Sequence, residues 1–124
     1  MKRSVFLFTF LAGLLLAKPA GQYAGTWNSD GGINSGKVNV TITESGDGQF
    51  NFTYQDQVIK PKKVTTKVSE DQVDFICEVD LEGLRISTAF HGTVSGKALA
   101  GKYRTTSVDD GSELDAGSWQ VTLQ

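Results

Sequence analysis

Val38-Asn39-Val40-Thr41-Ile42-Thr43 alternates apolar and polar side chains without a fault, and this period of two recurs along most of the chain. Such alternation places every second side chain on one face, which suits a strand with one buried side and not a helix, whose faces repeat every 3.6 residues or so. Glu44-Ser45-Gly46-Asp47-Gly48 turns the chain, and Phe50, Phe52 and Tyr54 resume the pattern, so a hairpin is predicted. A second hairpin joins Gln72 to Val79 with Leu84 to Phe90 through Asp80-Leu81-Glu82-Gly83, with Leu84, Ile86, Thr88 and Phe90 on one face. Between the two, Val58 to Val68 reads as a broken strand, because Pro61 has no N–H to give to a ladder. Thr93 to Tyr103 reads as two short strands or one bent strand, and Trp119, Val121 and Leu123 share a face of the last one.

The count is about eight antiparallel strands with no stretch of capped helical periodicity. Uniformly short connections favour an up-and-down meander over the long crossings of a Greek key, so the expected fold is an all-β, antiparallel up-and-down barrel. Gly25-Thr26-Trp27 near the start is echoed by Gly117-Ser118-Trp119 near the end, which predicts that the first and last strands are neighbours. Closure of this kind would also remove exposed strand edges.

The first residues read as an export signal: Lys2 and Arg3 are followed by an apolar run from Val5 to Leu16, with cleavage expected after Ala17. Residues 1–17 are then the signal peptide and residues 18–124 a single β-barrel domain, secreted or periplasmic. Losing Lys2 and Arg3 moves the formal charge from −2 to about −4, which argues against nucleic-acid binding, since that needs a basic footprint. An outer-membrane barrel is disfavoured because the strands read as shorter than the roughly 9–11 residues a bilayer requires. Cys77 is the only cysteine, so no intrachain disulfide forms, and its alternation with Val73, Phe75 and Val79 predicts a buried, inert thiol.

Tyr23-Ala24-Gly25-Thr26-Trp27 resembles the Gly-x-Trp opening of lipocalin-like, or calycin-like, barrels. Phe90-His91-Gly92-Thr93-Val94-Ser95-Gly96, Leu99-Ala100-Gly101-Lys102-Tyr103 and Gly117-Ser118-Trp119 resemble a pattern of small exported bacterial β-barrel domains, mostly of unknown function. The lipocalin resemblance implies barrel closure by Trp27 packed against an arginine from a late strand, for which Arg104 is the match. The lipocalin Thr-Asp-Tyr motif and its long helix have no counterpart here. Avidin-like barrels also begin with Gly-Thr-Trp, but their biotin contacts cannot be placed in this chain.

No catalytic, phosphate-binding or zinc-binding constellation is present, and no cofactor is implied. His91, the only histidine, falls on the opposite face from Cys77, so the pair does not make a nucleophile and base. Asp109, Asp110, Glu113 and Asp115 form an acidic loop without EF-hand spacing, and Lys60, Lys62, Lys63 and Lys67 form a solvated basic strand. What remains is the interior, where Trp27, Phe52, Tyr54, Phe75, Phe90, Tyr103 and Trp119 are candidate ligand-binding residues and equally candidate core. So many aromatics predict a mostly filled barrel with a shallow cup at one end. The reading is a non-catalytic exported binding module for a small apolar or aromatic ligand. The alternative is a structural or protein-interaction module with a solid core that contacts another exported protein.

Overall fold

The computed structural model describes residues 20–124; the expected signal peptide and its expected cleavage after Ala17 lie outside the described residues. Nine antiparallel strands follow one another in chain order: β1 (Gly21–Ser29), β2 (Ser35–Ile42), β3 (Gly48–Tyr54), β4 (Gln57–Ile59), β5 (Lys63–Ser69), β6 (Gln72–Leu81), β7 (Leu84–Ser95), β8 (Ala98–Ser107) and β9 (Glu113–Leu123). They form one sheet in the order β4-β3-β2-β1-β9-β8-β7-β6-β5. The only neighbours not consecutive in the chain are therefore β1 and β9, and there Trp27 lies directly opposite Trp119. The echoed Gly-x-Trp signals mark this junction. A Cβ on Gly25 would run into the carbonyl oxygen of Gln120, and one on Gly117 into that of Asn28, so the two strands approach too closely for any larger residue at either position.

The ninth strand comes from the break at Pro61. β4 has three residues, and Lys60-Pro61-Lys62 carries the chain to β5, so these two strands end the ladder without hydrogen-bonding each other. The sheet curls into a barrel whose last seam is closed by side chains: Phe50 of β3 meets Phe75 of β6 at 5.7 Å, and Gly48 leaves room for Phe75 and for Thr66 of β5. The lysine-rich segment is thus the edge of the sheet, where charge and proline discourage pairing with another chain. Lys62 is held there by Asp80 at 2.9 Å.

Strands β6 to β9 run to 10–12 residues, longer than the sequence pattern predicts, so strand length does not argue against a membrane barrel. Polarity does. The outward positions of β7 and β8 carry Arg85, His91, Lys102 and Arg104, all exposed, while the buried positions carry no charge and include Ile86, Phe90, Leu99 and Tyr103. A lipid-facing barrel has the reverse pattern, with an apolar band outside. Turn chemistry fixes the hairpins: Gln55 and Asp56 (φ 51° and 63°), and Glu82 and Gly83 (φ 54° and 81°), take the two positive φ values of a type I′ turn.

Candidate binding site

The two ends of the barrel are filled differently. Toward the end that holds the β2–β3, β5–β6 and β7–β8 turns, Val38, Val40, Val73, Phe75, Cys77, Leu99 and Val121 are almost wholly removed from solvent. Trp119 joins them at 2% exposure, edge-on to Phe75 (6.2 Å) and to Phe90 (5.6 Å). Its indole N–H reaches the carbonyl oxygens of Lys102 (3.2 Å) and His91 (3.3 Å), so the ring is fixed by hydrogen bonds as well as packing. This is a plug.

Above the plug the barrel opens into a cup of about 430 Å³. Its floor is the cross-strand pair Phe90 and Tyr103, with ring centroids 5.6 Å apart. Trp27, Phe52 and Tyr54 make one wall, and Ile86, Thr88 and Thr105 the other. Trp27 stands edge-on to Tyr103 at 6.0 Å and donates its indole N–H to the carbonyl of Thr53 (3.0 Å), which ties β1 to β3. The rim is formed by Asn34, Leu81, Glu82, Leu84, Leu114 and Asp115, from the turns at this end.

Two polar features are built into the apolar wall. Thr88 and Thr105 are cross-strand partners, both buried, with their hydroxyl oxygens 2.8 Å apart. One proton lies between them and the other is left for a further acceptor. The Tyr103 hydroxyl donates to Asp115 Oδ2 at 2.9 Å. Burial pushes that phenol's pKa up, helped by the Asp115 hydrogen bond and by the negative charges of Asp115 and Asp30, so it stays a neutral donor well above physiological pH.

Five of the seven aromatic candidates therefore meet around one cavity: Trp27, Phe52, Tyr54, Phe90 and Tyr103. Phe75 and Trp119 do not line it and belong to the plug. Arg104 does not brace Trp27. Its position in β8 points outward, where it pairs with Glu113 at 2.7 Å, and Tyr103, the inward neighbour, takes the place against the indole. Thr88, Thr105 and Ile86 are wall residues that inward parity alone could have flagged. Leu114 could not have been found that way: pairing of β8 with β9 skips it, and this bulge turns it to the mouth.

The remaining titratable candidates are dispersed. Cys77 is fully buried and desolvation pushes its thiol up to about 12, while His91 sits on the outer face bound to Asp74, so the two are on opposite sides of the sheet. In the acidic loop Asp110 caps the backbone N–H and hydroxyl of Ser112, which lowers its pKa, and Asp109, Glu113 and Asp115 each turn to a different partner. Among the described residues no group of three or more His, Cys, Asp or Glu is arranged to hold a metal ion. A second, shallower groove of about 540 Å³ lies at the opposite end along Thr43 to Asp47 and Thr66 to Val68, and no aromatic side chain lines it.

No protein family matches the sequence, and no curated protein does either. Among solved structures, apo Bradavidin2 (form B) superposes with a TM-score of 0.52 at 20% identity, covering 84% of this chain and 96% of that one. That structure is an avidin-type barrel. The fold is calycin-like. At this identity the likeness is one of fold alone.

Proposed function

We propose that this protein is exported and that its cup holds a small molecule with a flat or aromatic apolar body and a hydrogen-bond acceptor on one side. The observation that carries the reading is the cup: about 430 Å³, within the range of roughly 300–1,000 Å³ usual for ligand sites, walled by five aromatic rings. Ring faces supply contact area, and the spare Thr88/Thr105 proton supplies orientation. The apolar rim points the same way, because Leu84 and Leu114 are 40% and 46% exposed at the mouth and would be covered by an occupant. Export rests on the apolar run that follows Lys2 and Arg3.

A second reading is a docking module for another exported protein. Ile33, 85% exposed in the β1–β2 turn at the same end, lies outside the cup lining, so a small ligand in the cup leaves it uncovered. A fluorescence titration with the neutral probe N-phenyl-1-naphthylamine separates the two readings. Saturable one-to-one binding that Thr88→Phe abolishes by filling the cup supports the ligand site, whereas no saturable binding in the unaltered protein removes it.

A further inference from the structure

The charge around the cup is one-sided. Asp115 and Glu82 line it, and no lysine, arginine or histidine does so among the described residues. The two arginines near this end are committed elsewhere: Arg85 lies 4.0 Å from Asp109 and Arg104 2.7 Å from Glu113, with both arginine side chains more than half exposed. Asp115 accepts from the Tyr103 hydroxyl, a neutral donor that leaves its charge uncompensated. Asp30, whose backbone N–H bonds Ala116, adds another negative charge close enough to be felt by the same hydroxyl.

Beside these carboxylates stand the rings of Trp27 and Tyr103, whose faces are themselves electron-rich. Carboxylates and ring faces in a concave, low-dielectric wall reinforce one another, and field lines converge on the mouth. An anion entering the cup would lose water and be repelled by both carboxylates, with no cationic side chain and only neutral donors such as the Thr88/Thr105 pair to offset the loss. A cation would meet both sources of attraction.

We propose that the ligand of this cup is an organic cation: an apolar, ring-sized body carrying an ammonium or similar positive nitrogen that rests against Asp115 at the mouth. The proposal rests on the reading of the cup as a ligand site. It divides the ligand's chemistry along the barrel axis, with the charge at the rim and the apolar body on the Phe90 and Tyr103 floor. The Thr88/Thr105 pair then orients the body from the side.

Three probes of one shape test it on the full-length mature protein: 1-naphthylmethylamine, 1-naphthalenemethanol and 1-naphthoate, measured by calorimetry and by displacement of N-phenyl-1-naphthylamine. The amine is expected to bind roughly tenfold more tightly than the alcohol, and the alcohol more tightly than the acid. Asp115→Asn should cut the amine-to-alcohol ratio to about threefold or less, and Glu82→Gln, in an exposed turn, should lower it by a smaller factor. Equal binding of amine and alcohol by the unaltered protein overturns the cation proposal and leaves the cup standing as a ligand site. If none of the three binds and the neutral fluorophore does not bind either, the ligand-site reading falls and the proposal falls with it. Should Asp115→Asn fail to fold, the ratio in the unaltered protein and in Glu82→Gln decides the matter.

Discussion

Trp119→Phe tests the division of the barrel into a plug and a cup. The indole is 2% exposed and its N–H is shared between the carbonyls of His91 and Lys102, so the substitution strips a buried donor from two acceptors and leaves a partial void beside Phe75 and Phe90. Losing the hydrogen bonds costs about 1–2 kcal/mol. The void adds a fraction of the roughly 3–5 kcal/mol seen when a whole buried aromatic is truncated to alanine. A total of about 2–3 kcal/mol is expected, which at a urea m-value near 2 kcal/mol per molar lowers the unfolding midpoint by about 1 M. The chain has two tryptophans, so Trp27 remains as the sole indole reporter and the transition can be followed by its fluorescence. Because Trp119 does not line the cup, affinity for N-phenyl-1-naphthylamine should stay within about threefold, a difference of well under 1 kcal/mol. A midpoint shift below about 0.25 M, or loss of probe binding in a variant that still folds, would refute the division.

Alkaline pH should destabilise the protein in a defined window. The Cys77 thiol is raised from 9.0 to about 12 by burial, so the unfolded chain releases this proton first. Its contribution is therefore full below about pH 9 and is lost as pH rises toward 12, at up to roughly 1.4 kcal/mol per pH unit. Urea midpoints measured from pH 8 to 10.5 should fall accordingly and fall less steeply in Cys77→Ala; a flat profile in the unaltered protein contradicts the buried thiol. Tyr103 and Tyr23, also raised by burial, add to the loss above about pH 10. Arg104→Ala breaks only an exposed pair with Glu113 and should cost no more than about 1 kcal/mol with the Trp27 emission maximum unmoved. Gly48→Ala should cost about 1–3 kcal/mol by thermal or urea unfolding, since its Cβ would lie 2.5 Å from the Thr66 hydroxyl and 2.8 Å from the Phe75 ring at the unpaired seam.

Period-two alternation made the strands legible because each has one wet and one buried face, and β2, β3, β6 and β7 fall where that pattern puts them. The neighbourhood of β1 and β9 was legible for a different reason: the paired glycines mark a backbone approach that no side chain tolerates. What alternation does not encode is how far a curled sheet closes. Pro61 announces a break in the strand, but whether the ladder rejoins beyond it depends on the reach of three residues in β4.

The cup was legible in composition and not in position. Inward parity gathers Phe52, Tyr54, Phe75, Phe90, Tyr103 and Trp119 on one face without saying at which height along the axis each stands. The cavity lining separates them: Phe90 and Tyr103 face the cup, while Phe75, though directly opposite Phe90, and Trp119 do not. The rim depended on backbone irregularities: Leu114 is placed by a bulge and Glu82 by a left-handed turn residue, and neither leaves a periodic trace. The assignment of Arg104 to Trp27 came from resemblance, and local parity overrode it, because residue 104 faces outward wherever Tyr103 faces inward.

The central claim is that one end of this barrel is a ligand cup and the other is solid. A solution NMR titration with N-phenyl-1-naphthylamine, reading backbone amides and both indole N–H signals, tests it most directly. The account predicts saturable one-to-one shifts at Trp27, Thr88, Tyr103, Thr105 and Asp115, with Val73, Leu99 and the Trp119 indole nearly unmoved. Shifts centred on the groove at Thr43 to Asp47, or scattered over the outer face, or absent at saturating probe, would contradict it.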